Sequence, residues 1–308
     1  ISTNAVTEIT TMVVGALADV DMQGQVALSV DKWAAVRVVD MIRGDVVPSV
    51  KIYDKQLKFS DVNIDKNWIL EQEPDIDCTF TGSFGLIFKF IGYHNLFITD
   101  SASNNFSGVV HHIKWQGVNW KYANLIKSSS AGAARFGTSL DTAENYVLAV
   151  GAPYANSGEG EVEVFSVSNV VQSINQISSA SVSLFGSSVA LNDDTLVATG
   201  MHNESVGIFI SKIIIPRQVQ APIKVSLKQS VKLGSVISDV HLTIDVDHII
   251  YSNARLSGRD HDVDIPVAWS IGCDTDEDWC IPNLGAVGAI LRSEAGWQDS
   301  GWKASALE

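Results

Sequence analysis

The stretch that decides the fold is "RFGTSLDTAENYVLAVGAPYANSGEGEVEVFSV", residues 135–167. It holds a Phe-Gly pair at Phe136, an apolar run that ends in Gly-Ala-Pro from Gly151, and a second apolar run at 160–167. Short runs rich in Val and Phe are typical of β-strands, and the Gly, Asn and Ser between them are turn residues. The stretch predicts two paired strands and raises the question of whether they form one copy of a repeat.

Marker glycines recur along the chain at a spacing near 50 residues, namely Gly85, Gly137, Gly186, Gly234 and Gly285. Apolar runs follow the first four, and each of these units is also assigned an earlier apolar strand, at 67–73, 119–126, 170–176 and 222–229. About four short strands in each unit, with almost no helix-period sequence, indicate a β-propeller or a β-solenoid. Alternating sheets buried on both faces favour the propeller.

Length and period together predict an all-β fold, a single β-propeller domain over residues 1–308. About 50 residues in each four-stranded blade gives six blades, and five or seven stay open. Residues 24–40 read as a degenerate blade, and 55–66 read as an insertion. The C-terminal "SGWKASALE" resembles "VNWKYANLI" at 118–126, which predicts a ring closed by N- and C-terminal strands that share a blade.

The repeat resembles the FG-GAP repeat of integrin α-subunit propellers. The copies at 136–167 and 185–211 carry the resemblance, and weaker copies extend it over 67–271. The resemblance implies an extracellular, secreted or cell-surface ectodomain that binds ligands through the loops at one end of the ring. Many such blades carry a calcium loop between Phe-Gly and Gly-Ala-Pro, but the 15 residues from Phe136 to Gly151 are too few for it.

Charge excludes some classes of partner. The chain has 21 Lys and Arg against 35 Asp and Glu, a net charge of -14, so phosphate backbones and anionic membrane surfaces are repelled. No apolar run approaches the ~20 residues that span a bilayer. We therefore expect no nucleic-acid partner and no direct membrane insertion.

One acidic cluster is the best candidate for a metal site. Asp274, Asp276 and Asp278 alternate within "CDTDEDWC", and carboxylates at such spacing can converge on Ca²⁺, although a solvated acidic turn has the same sequence. Cys273 and Cys280 bracket the cluster and predict a disulfide, with reduced thiols as the alternative.

Two further sets of residues point to a surface outside the cell. Asn105 and Asn203 begin Asn-x-Ser sequons and predict glycosylation. Trp279 and Trp297 lie in polar, acidic sequence and are candidates for a ligand-binding surface, since an exposed indole buries a large flat area against a ligand. Packing at the ring closure is the alternative.

The sequence contains no motif for nucleophilic, metal-hydrolytic or nucleotide chemistry, so we predict no catalytic residue and no cofactor other than a possible Ca²⁺. The favoured function is a non-enzymatic binding, adhesion or extracellular assembly module. One alternative is a propeller that binds carbohydrate or acts on polysaccharide, as a hydrolase or lyase. Another is a self-assembling subunit of an extracellular filament or coat. The expected partner is therefore a protein or a glycan.

Overall fold

A computed structural model describes residues 26–29, 32–42, 45–59, 64–72, 81–143, 146–167, 171–177, 182–202, 205–214, 224–232, 240–244, 248–253, 286–293 and 296–304. The chain divides into two compact units, residues 1–127 and 128–308, and each unit is described by itself.

The first unit contains two four-stranded antiparallel sheets whose strands follow one another in sequence. Blade 1 consists of β1 (Val26–Leu28), β2 (Trp33–Ile42), β3 (Asp45–Phe59) and β4 (Ile64–Gln72). Blade 2 consists of β5 (Phe88–Ile91), β6 (Asn95–Asp100), β7 (Val109–Trp115) and β8 (Trp120–Lys127), with a short helical turn, α1 (Ser103–Phe106), before β7.

The second unit contains three sheets of the same kind. Blade 3 is β9 (Ser139–Ala143), β10 (Val147–Ala152), β11 (Glu161–Val167) and β12 (Val171–Ile177), with the turn α2 (Ala155–Gly158) before β11. Blade 4 is β13 (Val189–Leu191), β14 (Thr195–His202), β15 (Ser205–Ile214) and β16 (Lys224–Lys232). Blade 5 is β17 (His241–Ile244), β18 (His248–Asn253), β19 (Ala286–Ser293) and β20 (Gly296–Ala304).

Consecutive four-stranded meanders that pack on one another are the architecture of propeller blades, so the predicted fold class is confirmed: the chain is an all-β protein of the β-propeller class. The described residues form five blades, one of the numbers left open, rather than six. The sixth blade followed from counting Gly285 as the start of a unit. In the structure Gly285 directly precedes β19, the third strand of blade 5.

The strands assigned as the first of each unit are instead the last of the preceding blade. β8, for example, follows β7 after a short turn and pairs with it from Trp115↔Trp120 to Val109↔Lys127. Strands joined by so short a connection pair with each other, because the closing loop costs little entropy. The four strands of every described sheet are likewise consecutive, so no sheet in that part of the chain combines strands from both termini.

The expected insertion at 55–66 coincides with the far end of a long hairpin. Residues 55–59 belong to β3 and 64–66 to β4, and the pairing runs from Phe59↔Ile64 inward to Lys55↔Trp68. The segment therefore extends two strands of blade 1 beyond the length of their counterparts.

The cores lie between neighbouring sheets within each unit. In the first unit Phe84, Phe88 and Trp33 pack with Trp120 and the β6 residue Leu96. In the second unit Phe185 and Phe209 pack with Val162 and Val164 between blades 3 and 4. A further cluster around Tyr251 and Ile208 fills the space between blades 4 and 5. The predicted scaffold role of the Phe-Gly phenylalanines is thus confirmed.

The Phe-Gly glycines allow neighbouring blades to touch through their backbones. Gly186 has φ +87°, and a Cβ added there would lie 3.2 Å from the Cα of Gly151. A Cβ at Gly151 would overlap the carbonyl oxygen of Gly186 and the hydroxyl of Ser139, which donates a hydrogen bond of 2.7 Å to that same carbonyl. Only glycine fits both positions.

Blade 1 solves the same contact with a side chain. Arg37 on β2 is buried, and it donates hydrogen bonds from Nε to the carbonyl of Phe84 at 2.8 Å and from a terminal nitrogen to that of Gly82 at 2.9 Å. Burial lowers the pKa of its guanidinium. The contact between blades is therefore a direct backbone approach in one unit and an arginine bridge in the other.

A β-bulge interrupts the outermost pairing of every described sheet. In blade 2 the register shifts between His112↔Asn124 and Ile113↔Tyr122, which leaves Ala123 as an extra residue on β8. The corresponding shifts lie at Ile52/Tyr53, Val164/Phe165, Ile210/Ser211 and Gly288/Ile290. A bulge bends and twists its strand, so the outer edge of each blade is irregular at a matching position.

Candidate binding loops

The connection between the second and third strands is the part of the blade that varies most. It is two residues long at 43–44 and 203–204, eight residues at 101–108 and 153–160, and 32 residues at 254–285. The paired strands around it keep their four-stranded pattern. Variation at one topological position on a constant scaffold is typical of loops that carry function.

Loop 101–108 and loop 153–160 share one conformation. Asn104, Asn105 and Phe106 have φ of 51°, 55° and 64°, and the matching residues of loop 153–160 also have positive φ. In each loop the amide of the last residue donates to a carbonyl five residues earlier, at 3.0 Å. The left-handed region is unfavourable for residues with a side chain, and a bulky residue is rare there.

One position separates the two loops. The left-handed residue that ends the turn is Gly158 in loop 153–160 and Phe106 in loop 101–108. Phe106 is 50% exposed. An aromatic residue therefore occupies a glycine-type backbone position with half of its surface in solvent, a combination that neither backbone preference nor core packing favours.

The exposed side chains of the loops are amides, a serine and aromatic rings. Asn104 and Asn105 are exposed beside Phe106. In the other loop Tyr154 is 45% exposed, and the guanidinium of Arg135 lies 4.8 Å from the centre of its ring. Tyr, Asn, Ser and Gly are the residues that recognition loops use most, since they combine large contact area with adaptable hydrogen bonding.

A buried carboxylate anchors the base of loop 101–108. Asp100 accepts hydrogen bonds from the amide of Thr81 at 3.1 Å, from the Thr81 hydroxyl, and from the Ser83 hydroxyl at 2.6 Å. The Ser83 hydroxyl in turn accepts a bond of 2.8 Å from the amide of Ala102, the second residue of the loop. The carboxylate thus ties the loop to the segment that enters the blade.

Loop 153–160 has a similar anchor. Glu161 is fully buried at the start of β11 and accepts hydrogen bonds from the hydroxyls of Ser128 at 3.1 Å and Ser130 at 2.8 Å. The side-chain amide of Asn156, in the loop itself, donates to the same carboxylate at 3.1 Å. The loops therefore rest on fixed polar contacts, which reduces the entropy that binding would otherwise cost.

Glu163 is a second buried carboxylate on the same face of β11. It is 1% exposed, and its Oε1 accepts a hydrogen bond of 2.8 Å from the amide of Ser129. Its Oε2 is buried without a hydrogen-bond partner within the described residues. Burial, with a smaller contribution from the charge of Glu161, raises the pKa of Glu163.

Two histidines on β7 are buried rather than available to a ligand. His111 packs edge-on against Phe84, and His112 stacks on Phe97 with ring centres 4.6 Å apart. Burial lowers the pKa of both, that of His112 to about 4. Their rings belong to opposite faces of the strand, as the adjacent positions predict.

Most of the predicted site residues lie outside the described residues. These are Asp274, Asp276, Asp278, Cys273, Cys280, Trp279 and Asn203. All of them except Asn203 belong to the 32-residue connection 254–285. The backbone of Trp297 pairs with Arg292 in β20. Asn105 lies exposed in loop 101–108, where a glycan would have room.

The sequence held a signal for the buried carboxylates that was read only as an apolar strand. Glu161 and Glu163 alternate with valines in "GEVEVF", which places both on one face of the strand. No such pattern marks Asp100, because its partners Thr81 and Ser83 approach it only in the folded blade.

Searches of the part of the chain that the structure describes gave two negative findings. No group of three or more His, Cys, Asp or Glu is arranged to hold a metal ion there. Within the same residues, no helix has both the length and the apolar character needed to cross a membrane.

No protein-family model and no curated protein match the chain. Among solved structures it is similar to a eukaryotic initiation factor, at 10% identity and a TM-score of 0.42, over 93% of this chain and 55% of the other. It is also similar to the WD40 domain of Toxoplasma gondii coronin, at 9% identity and a TM-score of 0.41, over 92% and 72%. The chain spans about half the length of the first of these.

Proposed function

We propose that the chain is a non-enzymatic recognition or adhesion module of the FG-GAP type, acting outside the cell and binding a protein ligand through its variable loops. The observation that carries the proposal is Phe106, an exposed aromatic residue in a left-handed conformation where the equivalent loop has Gly158. Residues held in unfavourable backbone conformations cluster at functional sites, where contact with a ligand compensates their cost.

The anchoring of the loops supports recognition rather than catalysis. Asp100 and Glu161 hold the loops through hydroxyl and amide donors, and both carboxylates are buried. A glycosidase needs two carboxyl groups that flank the bond of a bound sugar. Glu161 and Glu163 share one strand face, but Ser128–Ser130 covers them, so this pair gives the hydrolase alternative no support.

The substitution Phe106→Gly separates binding from stability. Glycine adopts the left-handed conformation without the Cβ penalty, so the melting temperature should stay constant or rise, while the exposed ring is lost. We expect cells to adhere to the immobilised wild-type chain and adhesion to Phe106→Gly to fall about tenfold. The control is Val118→Ser, since Val118 is 82% exposed in the turn at the opposite end of β7.

Adhesion that Phe106→Gly leaves intact, with the variant folded, would remove loop 101–108 from the binding surface. The alternatives have separate readouts. Enrichment on a glycan array, or cleavage of a polysaccharide, would favour the carbohydrate hypothesis. Concentration-dependent growth of polymers in sedimentation would favour the filament or coat.

A further inference from the structure

We propose that Glu163 and Glu161 form a proton-controlled clamp on the segment Ser128–Ser130, which tightens when Glu163 is protonated and loosens when it ionises. The segment directly follows β8, the last strand of the first compact unit, and is the first part of the second. The clamp therefore acts on the stretch of chain that joins the two units.

Consecutive residues of the segment bind alternating carboxylates. The hydroxyls of Ser128 and Ser130 donate to Glu161, and the backbone amide of Ser129 donates to Glu163. Ser128 also accepts a bond of 2.9 Å from the amide of Ser130, which fixes the turn of the segment. Segment and carboxylates thus hold each other in one geometry.

The strands around the clamp bring no positive charge to it. β10 ("VLAVGA"), β12 ("VQSINQI") and β13 ("VAL") contain no titratable residue, and neither does Ser128–Ser130. On β9 the carboxylate of Asp141 accepts the amide of Leu191, in the next blade. Glu161 is the charged group that acts electrostatically on Glu163. Two ionised carboxylates in this uncharged surrounding repel each other, and burial penalises the charge of Glu163 further.

The direction of the pH effect follows from the raised pKa of Glu163. Its folded pKa lies above its unfolded pKa, so the stabilisation is complete below the unfolded value and is lost as pH rises through the folded one. The Ser129 contact survives ionisation as a single bond. The cost falls on Oε2, which then carries charge without a hydrogen-bond donor in the described part of the chain.

The experiment is amide hydrogen exchange of the full chain, read at the peptide that contains Ser129, from pH 5 to pH 8. After correction for the intrinsic exchange rate, we expect the wild-type protection factor to fall about tenfold across this range. Glu163→Gln keeps the shape and the oxygen that accepts the Ser129 amide but cannot ionise. Its protection factor should stay constant. The matched control is Glu159→Gln, an exposed acid of loop 153–160, which should behave like wild type.

A second measurement follows the proton itself. Infrared difference spectra between pH 5 and pH 8 should contain a protonated-carboxyl band that Glu163→Gln removes and Glu159→Gln retains. A wild-type protection factor that does not change with pH, or a fall of equal size in Glu163→Gln, would overturn the clamp. The proposal stands apart from the binding function, since neither measurement uses a ligand.

Discussion

Acidification should weaken the first unit through His112. Burial, helped by the nearby charge of Lys114, lowers the pKa of His112 from 6.5 to about 4. The neutral ring stacks on Phe97, and its Nε2 lies 2.9 Å from Oδ1 of Asn95, so this nitrogen donates the hydrogen bond. The folded chain therefore resists protonation at a site where the unfolded chain accepts it readily.

The sign and the size of the effect follow from this pKa. Stability is complete above pH ~6.5, where His112 is neutral in both states, and falls down to pH ~4 as the unfolded chain takes up the proton. The change from 6.5 to about 4 corresponds to ~3 kcal/mol in the free energy of unfolding. At the size of this protein that is roughly 10 °C in melting temperature. The lowered pKa of His111 adds to the same slope.

The assay is the melting temperature by circular dichroism at intervals from pH 7.5 to pH 4.5. His112→Phe keeps an aromatic ring against Phe97 but removes both the titrating group and the donor to Asn95. It should melt lower than wild type near neutral pH and lose less stability on acidification, by ~3 kcal/mol. His94→Gln is the control, because His94 is exposed in the turn before β6. A slope in His112→Phe equal to that of wild type would refute the assignment.

Three more predictions concern the blades and the untested sites. Gly151→Ala should cost about 3 kcal/mol by forcing blade 4 away, whereas Gly82→Ala, with open space at its Cβ, should change the melting temperature little; equal effects would contradict the backbone contact. Asn105→Gln should remove one glycan mass from chain secreted by eukaryotic cells, and an unchanged mass would count against glycosylation there. If the acidic cluster binds Ca²⁺, saturating Ca²⁺ should raise the melting temperature of wild type but not of Asp276→Asn.

The repeat was readable from the sequence because its markers have strict backbone roles. Gly137 and Gly186 adopt left-handed conformations, and Phe136 and Phe185 fill the cores between blades, so no other residue types serve equally well. These constraints are local and recur at a nearly fixed spacing, which is why the strands of blades 2 to 4 could be predicted in place.

Register and blade number were harder, because one-residue differences do not show in a spacing. Gly151 and Gly200 both follow their phenylalanine by 15 residues and were taken as equivalent. In the structure Gly151 pairs with Ser139, whereas the matching position of blade 4 is Thr199, whose amide donates to Ser188. The β13–β14 turn starts one residue earlier in the blade, so Gly200 packs on Val182 and Phe185 of its own entering segment.

The carboxylate anchors depend on tertiary approach and could be predicted only in part. The alternation of Glu161 and Glu163 fixes their common face, but the arrival of Ser128–Ser130 over them depends on how the chain enters blade 3. Loop 101–108 could be placed between strands from its Asn, Ser and Gly content. The left-handed conformation of Phe106 could not, since aromatic residues rarely adopt it.

The recurring bulge limits how copies of this chain can join. A regular outer strand offers an unbroken row of amides and carbonyls, on which a strand of another molecule can form a continuous intermolecular sheet. Ala123 and its counterparts break that row in all five described blades. A filament built from this protein would therefore have to join through loops or side-chain surfaces, and its subunits could separate without unravelling a shared sheet.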